Sequence, residues 1–377
     1  MKDKIWLSSP HMGDEELKNV QEAFATNWIS PAGPFISLFE EQLAAYCGNN
    51  AAAMVQLGTA AIHLALRILN IQQDDVVLCQ SFTFVGSTNP ILYEKATPIF
   101  IGSEKATWNM CPLALEEAIV DSLKKEKLPK AIIVVHLYGM PAKMPEIMEI
   151  SQKYSIPVIE DAAEALGSSI KGKPCGSFGD FGVLSFNGNK IITTSGGGAL
   201  LSNNSDAIAK ARFLATQAKD QAPHYQHSEI GYNYRMSNVS AAIGVGQLSV
   251  LADRVAARRA NHDFYQALLG EVKGIHFLTE PEGYFSNRWL SCVLIDPSQT
   301  GGISREHVRL ALEKENIESR PLWKPMQLQP LFAEARHYGS NYSEELFDLG
   351  LCLPSGSNLT EDQKTHIANQ LKNVFSL

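Results

Sequence analysis

No run of about 18 uninterrupted apolar residues occurs anywhere in the 377-residue chain, so a membrane-spanning helix is not expected. The opening "MKDKIWLSSPHMGDEELKNV" has neither the apolar centre nor the small-residue cleavage site of a signal peptide, and the expectation is a cytoplasmic protein. There is no cluster of lysine and arginine, and the formal net charge is −8. Nucleic acid and anionic membrane surfaces, which call for a basic stripe, are therefore not expected partners. The six cysteines are far apart in sequence and none forms a CxxC pair, which leaves no signature of a zinc or redox site and no expected metal. No GxGxxG follows the first apolar run, and "GVLSFNGNK" lacks both the spacing and the terminal hydroxyl of a P-loop.

What the chain does have is alternation. From about residue 50, short β-branched runs alternate with helical patterns: "AAAMVQ" into "TAAIHLALRILN", "DVVLCQ" into "GSTNPILYEK", "TPIFI" into "PLALEEAIVDSLKKE", "AIIVVHLY" into "MPEIMEISQKY", then "IPVIED". That order predicts βαβ units and a mainly parallel sheet between helices, an α/β fold. "FGVLSF" and "GGALLS" have no helix between them, so the sheet changes order or turns antiparallel there. A long amphipathic stretch, residues 236–270, is expected to connect a large domain, residues 1–250, to a smaller C-terminal α+β domain, residues 251–377. The length alone favours about two domains.

Three positions carry chemistry. Lys190 in "SFNGNKIITTSGGG" is flanked by small residues and hydroxyls instead of the charges that usually surround a solvated lysine. A desolvated amine is available for Schiff-base chemistry, although a surface charge is the commoner fate of a lysine. Asp161 closes an apolar run, and strand carboxyl ends line the crevice of open α/β sheets. A carboxylate there can keep a pyridine nitrogen protonated, as pyridoxal phosphate requires; "DAAEA" also reads as a helix cap. In "QLGTAAIHLAL", the amides of Gly58, Thr59 and Ala60 would open a helix where a phosphate can rest, or form an ordinary strand-to-helix turn.

The succession "GTA", "SFTFVGSTNPILY", "HLYG", "EDAAEALGS" and "SFNGNK" with its glycine tract resembles the DegT/DnrJ/StrS family of sugar aminotransferases dependent on pyridoxal 5'-phosphate. The resemblance runs from "NWISPAGP" to "LCLPSGSNLT". It implies the fold-type I architecture, with a seven-stranded large-domain sheet, and a homodimer whose subunits share active sites. It also implies Lys190 as the Schiff-base lysine and proton carrier, Asp161 as the partner of the pyridinium nitrogen, and Phe82 as the ring stacked on the cofactor. Gly58, Thr59 and Ser185 would hold the phosphate from one subunit and Asn233 from the other. Glu164 matches a glutamate or glutamine position near cofactor and substrate, and His136 belongs to a family motif while also reading as a packed strand-end residue.

Finer similarity lies in "SFNGNKIITTSGGG", "ATQAKDQAPHYQHSEIGYNYRMSN" and "RPLWKPMQLQP", which look like enzymes that aminate C4 of a nucleotide-linked 4-keto-6-deoxy-N-acetylhexosamine with L-glutamate as donor. Trp28, Ile29, Ser30, Arg320, Trp323 and Lys324 are the candidates for the sugar-nucleotide side, since a diphosphate suits Arg or Lys. Two departures stand out. Gly197 in "SGGG" replaces the glutamate of "GEGG", and Gln327 replaces the histidine of "KPMH". The implied chemistry is ping-pong: the donor leaves its amine on the cofactor, and the keto sugar collects it. Rivals on the same fold are a sugar dehydratase, which has histidine in place of the lysine, and a regulatory protein without catalysis.

Overall fold

The structure, a computed structural model, describes residues 3–377. Strands β1 (Ala51–Val55), β2 (Val76–Gln80), β3 (Thr97–Ile101) and β4 (Ala131–Val135) are each followed by a helical segment, and β5 (Val158–Asp161) by turns. β6 (Ser169–Ile170) and β7 (Lys173–Pro174) form a small hairpin, and β8 (Phe181–Ser185) and β9 (Gly198–Ser202) complete the large sheet's main strands. β10 (Ile275–Phe277), β11 (Tyr284–Phe285), β12 (Ser291–Ile295), β13 (Arg320–Pro321), β14 (His337–Tyr338) and β15 (Gly350–Leu353) follow.

The large sheet has the order β1-β9-β8-β5-β4-β2-β3-β14. Every pairing from β8 to β14 is parallel, while β9 runs antiparallel to both β8 and β1, the reversal expected where no helix separates two runs. Apart from the edge strand β14, its strands are buried on both faces because each carries apolar residues at odd and even positions. In β1, Ala53 and Val55 face the helix Gly58–Ile68, whereas Ala52 and Met54 face the helix Pro34–Cys47. In β4, Ala131 and Ile133 face one layer and Ile132 and Val134 the other.

The large domain supplies the expected seven strands, and an eighth, β14, two residues from the C-terminal region, docks on β3 through His337↔Phe100 and Tyr338↔Ile101. A strand of two residues carries no periodicity to read. The small domain is a four-stranded antiparallel sheet, β10-β12-β15-β13, covered by the helices Arg305–Lys314 and Glu361–Phe375. Ile5 joins its core and bridges to Ile317. The division at residue 250 is thus crossed in both directions, by Ile5 and by β14.

The single connector expected over 236–270 is two helices, Asn238–Ser249 and Leu251–Leu269, bent by 63°. The first presses closely on its neighbours: a Cβ at Gly244 would sit 2.3 Å from the Phe39 ring, and one at Gly246 2.8 Å from the Glu16 amide. Among the described residues no single helix is long and apolar enough to cross a membrane.

Candidate active site

The carboxyl ends of β1, β5 and β8 open into a cavity of about 1020 Å³ between the two domains. Gly58, Thr59, Asp161, Glu164, Ser185 and Lys190 all line it, so a stretch of 133 residues of sequence (190 − 58 + 1) converges on one space. Arg320, Trp323 and Lys324 line the same cavity from the small-domain side.

Asp161 is the last residue of β5, held between Val135 of β4 and Val183 of β8. It is buried, and both oxygens are fixed: the Ser87 hydroxyl donates to Oδ2 (2.6 Å), and the Ala163 amide to Oδ1 (3.1 Å). Ser87 is in turn 2.7 Å from the Thr83 hydroxyl. A buried carboxylate held by donors keeps one orientation, which a partner for a ring nitrogen requires.

Lys190 ends the turn that follows β8, its amide bonded to the Asn187 carbonyl (3.0 Å). Its side chain is 12% exposed, with Nζ 4.4 Å above the Trp289 indole and 3.5 Å from Glu164 Oε1. Glu164 is enclosed more completely. Burial pushes its carboxyl up to about 7, against the pull of Lys190 and of the Tyr138 amide, which donates to Oε2 (2.7 Å). Tyr138 offers that amide from a left-handed backbone (φ 54°, ψ 20°), a conformation that costs a non-glycine residue about 1 kcal/mol or more. Its hydroxyl accepts the Trp323 amide (2.9 Å), so one residue braces both walls.

The helix Gly58–Ile68 begins at the cavity. The Leu57 carbonyl accepts the amides of Ala60 (3.1 Å) and Ala61 (3.2 Å), which leaves Gly58 and Thr59 as the orphan donors of the helix start. Ala60 is buried in the core behind them and does not line the cavity, a correction to its expected place in the cradle. Gly58 must stay small, since a Cβ there would lie 3.2 Å from that of Ser185. A positive helix end, two open amides and two hydroxyls together favour an anion.

The aromatic wall also differs from expectation. Phe82 is fully buried, packed edge-on to Tyr138 (6.2 Å, 77°), and does not line the cavity. The ring that does is Phe84, 57% exposed and tilted against Trp323 (5.4 Å). The cause is a bend at the end of β2, where the Thr83 amide bonds the Ser81 carbonyl and Gln80 Nε2 donates to that of Phe82. The first phenylalanine turns inward and the second outward.

His136 is a packed strand-end residue: Nδ1 accepts the Ala142 amide and Nε2 donates to Glu160 Oε2, both at 2.9 Å, in a fully buried pair away from the cavity. Gln327 also faces elsewhere, its Oε1 taking the Ser81 hydroxyl. Read letter by letter, the second position of "SGGG" is Gly196, where a Cβ would meet only the Gln56 carbonyl at 3.8 Å; at Gly197 it would fall 2.1 Å from Thr194 Oγ1. A glutamate side chain therefore fits at 196 and not at 197, so the missing charge belongs to Gly196.

Trp28, Ile29, Ser30 and Asn233 do not reach this chain's own cavity and lie exposed on its surface. Asn238 holds the first group, donating from Nδ2 to the Trp28 carbonyl (2.8 Å) and from its amide to that of Ser30 (2.8 Å). Residues not singled out in the sequence complete the site: Ser87, Thr83, Phe84 and Trp289. Ser87 and Phe84 sit inside the quoted "SFTFVGSTNP", but Trp289 lies 99 positions beyond Lys190 (289 − 190) and nothing local marks it. Cys292 and Cys352, distant in sequence, face each other across β12 and β15 with sulfurs 3.7 Å apart.

The DegT/DnrJ/EryC1/StrS aminotransferase family matches residues 10–372. The chain is 53% identical, over all of its length and 97% of the relative's, to EpsN of Bacillus subtilis (strain 168), whose name assigns it provisionally as a pyridoxal phosphate-dependent aminotransferase. It is 35% identical to the GDP-perosamine synthase of Escherichia coli O157:H7, with 99% of each chain covered. A DegT/DnrJ/EryC1/StrS aminotransferase from Brucella abortus superposes with a TM-score of 0.89 at 27% identity, over 96% of each chain. The chain belongs to the DegT/DnrJ/EryC1/StrS family and is a pyridoxal phosphate-dependent sugar aminotransferase of fold-type I.

Proposed function

We propose that the protein transfers an amino group from L-glutamate to the C4 keto carbon of a nucleotide-linked 4-keto-6-deoxy-N-acetylhexosamine, for cell-surface glycan assembly. The observation that carries this is the convergence of the Lys190 amine and the fixed Asp161 carboxylate on one cavity that also holds an anion cradle. Those residues fit the cofactor: Gly58, Thr59 and Ser185 for its phosphate, Asp161 for its ring nitrogen, Phe84 for one face of its ring, and Lys190 for its covalent link. When bound, pyridoxal phosphate supplies an electron sink for a carbanion.

The remaining work falls to side chains. Lys190 Nζ would take the proton from the donor's α-carbon and hand it to the cofactor carbon that bears the nitrogen, as a positioned base and acid. Glu164, with a carboxyl that titrates near neutrality 3.5 Å away, can hold that proton in transit. Trp289, under the Lys190 amine, and the Phe84–Trp323 pair line the same cavity with apolar surface. Arg320 and Lys324 would meet the diphosphate; Arg320 pairs with Glu318 (2.7 Å) through Nε and Nη2. Asn233 and the Trp28–Ser30 segment, exposed here, would serve the cavity of a second subunit in a homodimer.

Support for C4 comes from the lysine-loop and "RPLWKPMQLQP" motifs. The test is to give the loaded protein L-glutamate with a nucleotide-linked 4-keto-6-deoxy sugar or a 3-keto sugar, following 2-oxoglutarate and locating the new amine by NMR. One 2-oxoglutarate per 4-amino sugar, with parallel double-reciprocal lines, is the expected result. An amine at C3 would move the assignment to that carbon, and loss of water without amine transfer would favour the dehydratase.

A further inference from the structure

Arg258, on the helix Leu251–Leu269, is 1% exposed and, among the described residues, touches no carboxylate. A buried cation is expensive and normally demands an anion. Arg258 instead spends its donors on the main chain around the lysine loop. Nη1 donates to the carbonyls of Trp289 (2.6 Å) and Ser355 (3.4 Å), and Nη2 to the Ser8 hydroxyl (2.9 Å) and the Lys190 carbonyl (3.3 Å). Ser8 passes its own hydrogen to the Asn189 carbonyl (2.7 Å), which also accepts the Trp289 indole N–H (2.7 Å). Burial, with Arg254 nearby, draws the guanidinium's pKa down to about 9. Five separate parts of the chain meet at one guanidinium.

We propose that Arg258 is a positioning residue for the transamination: it fixes the main chain at Asn189–Lys190 against the small domain, and so sets the point from which the Lys190 amine reaches both the cofactor and the donor's α-carbon. This rests on the reading of Lys190 given above. A planar fork with several donors satisfies three carbonyls and a hydroxyl at once, which a lysine at 258 cannot do. The main-chain anchor matters because Lys190 must detach, swing and reattach in every cycle, and a small error in its base is multiplied along a four-carbon arm.

The test compares wild type, R258K and S8A, all loaded with pyridoxal phosphate, in single turnovers with L-glutamate followed by visible absorbance. R258K is expected to slow the turnover about tenfold or more while the glutamate KM stays within about twofold, and S8A to slow it less, in the same direction. In the cofactor-free protein, R258K should speed amide hydrogen exchange across 187–191 and leave β4 and β5 unchanged. Equal turnover rates in R258K and wild type, or a loss confined to KM, would overturn the inference, as would exchange that rises throughout the protein. If R258K proves too unstable to load, the S8A rate alone decides. A wild type in which borohydride fails to trap the cofactor on Lys190 removes the underlying functional reading, whereas normal trapping with an unaltered R258K removes only the role of Arg258.

Discussion

Glu164 shows how much of this site depends on a single enclosed side chain. Its carboxyl holds a proton up to about 7 in the folded protein, against an ordinary value of 4.5. Between those limits the folded chain binds more protons than the unfolded one, so stability falls as pH rises through the window. The span corresponds to about 3 kcal/mol. Urea unfolding of cofactor-free protein should show E164Q gaining on wild type by up to that amount between about pH 4 and about pH 8; a gap independent of pH would mean that the carboxyl titrates alike in the folded and unfolded chains. A second contrast concerns adjacent glycines. G196E is expected to melt near the wild-type temperature, whereas G197E, whose Cβ has no room beside Thr194 and Met236, should lose several kcal/mol or fail to fold. Asp161, Glu164 and Lys190 could be singled out because each lies at or shortly after a strand end inside a short motif. Phe82 and Phe84 were not separable, since two phenylalanines two positions apart exchange roles through a bend that depends on Gln80 and Ser81. Trp289 and Arg258 were out of reach because their function comes from tertiary proximity alone.

At the scale of elements, the parallel direction of β5, β4, β2 and β3 followed from alternating apolar runs and helices, and the reversed β9 from the absence of a helix between it and β8. Two features left no such trace. β14 is too short for a pattern, and the break at Val250 falls in a continuous helical periodicity with no proline or glycine to announce it. The helix Asn238–Ser249 has a second duty beyond spanning the molecule: Asn238 Oδ1 accepts the Phe35 amide (2.9 Å), while its Nδ2 and amide hold the segment that carries Trp28 and Ser30. N238A would strand these groups, one of them a buried amide. A loss of about 2–4 kcal/mol is expected from the shift in denaturant midpoint. Under the homodimer reading, that variant should also weaken subunit association, because the loosened segment is the one presented outward.

For the whole molecule, the surface positions of Asn233, Trp28 and Ile29 bear on assembly. If each site is built from two chains, mixing K190A with N233A under conditions that exchange subunits should restore about one quarter of wild-type activity, since half of the pairs are mixed and each mixed pair has one intact site. No recovery, together with a monomer mass by light scattering, would sink the shared-site reading. The single small domain and the N-terminal segment complete the cavity walls, so neither half of the chain suffices for catalysis. The grip on the lysine loop carries this further. Ser8, Lys190, Arg258, Trp289 and Ser355 span nearly the entire chain, and their contacts close only when the last of them is in place. The contacts that hold the main chain at Lys190 are therefore almost all of long sequence separation, and completing them waits on long-range folding rather than on any local element.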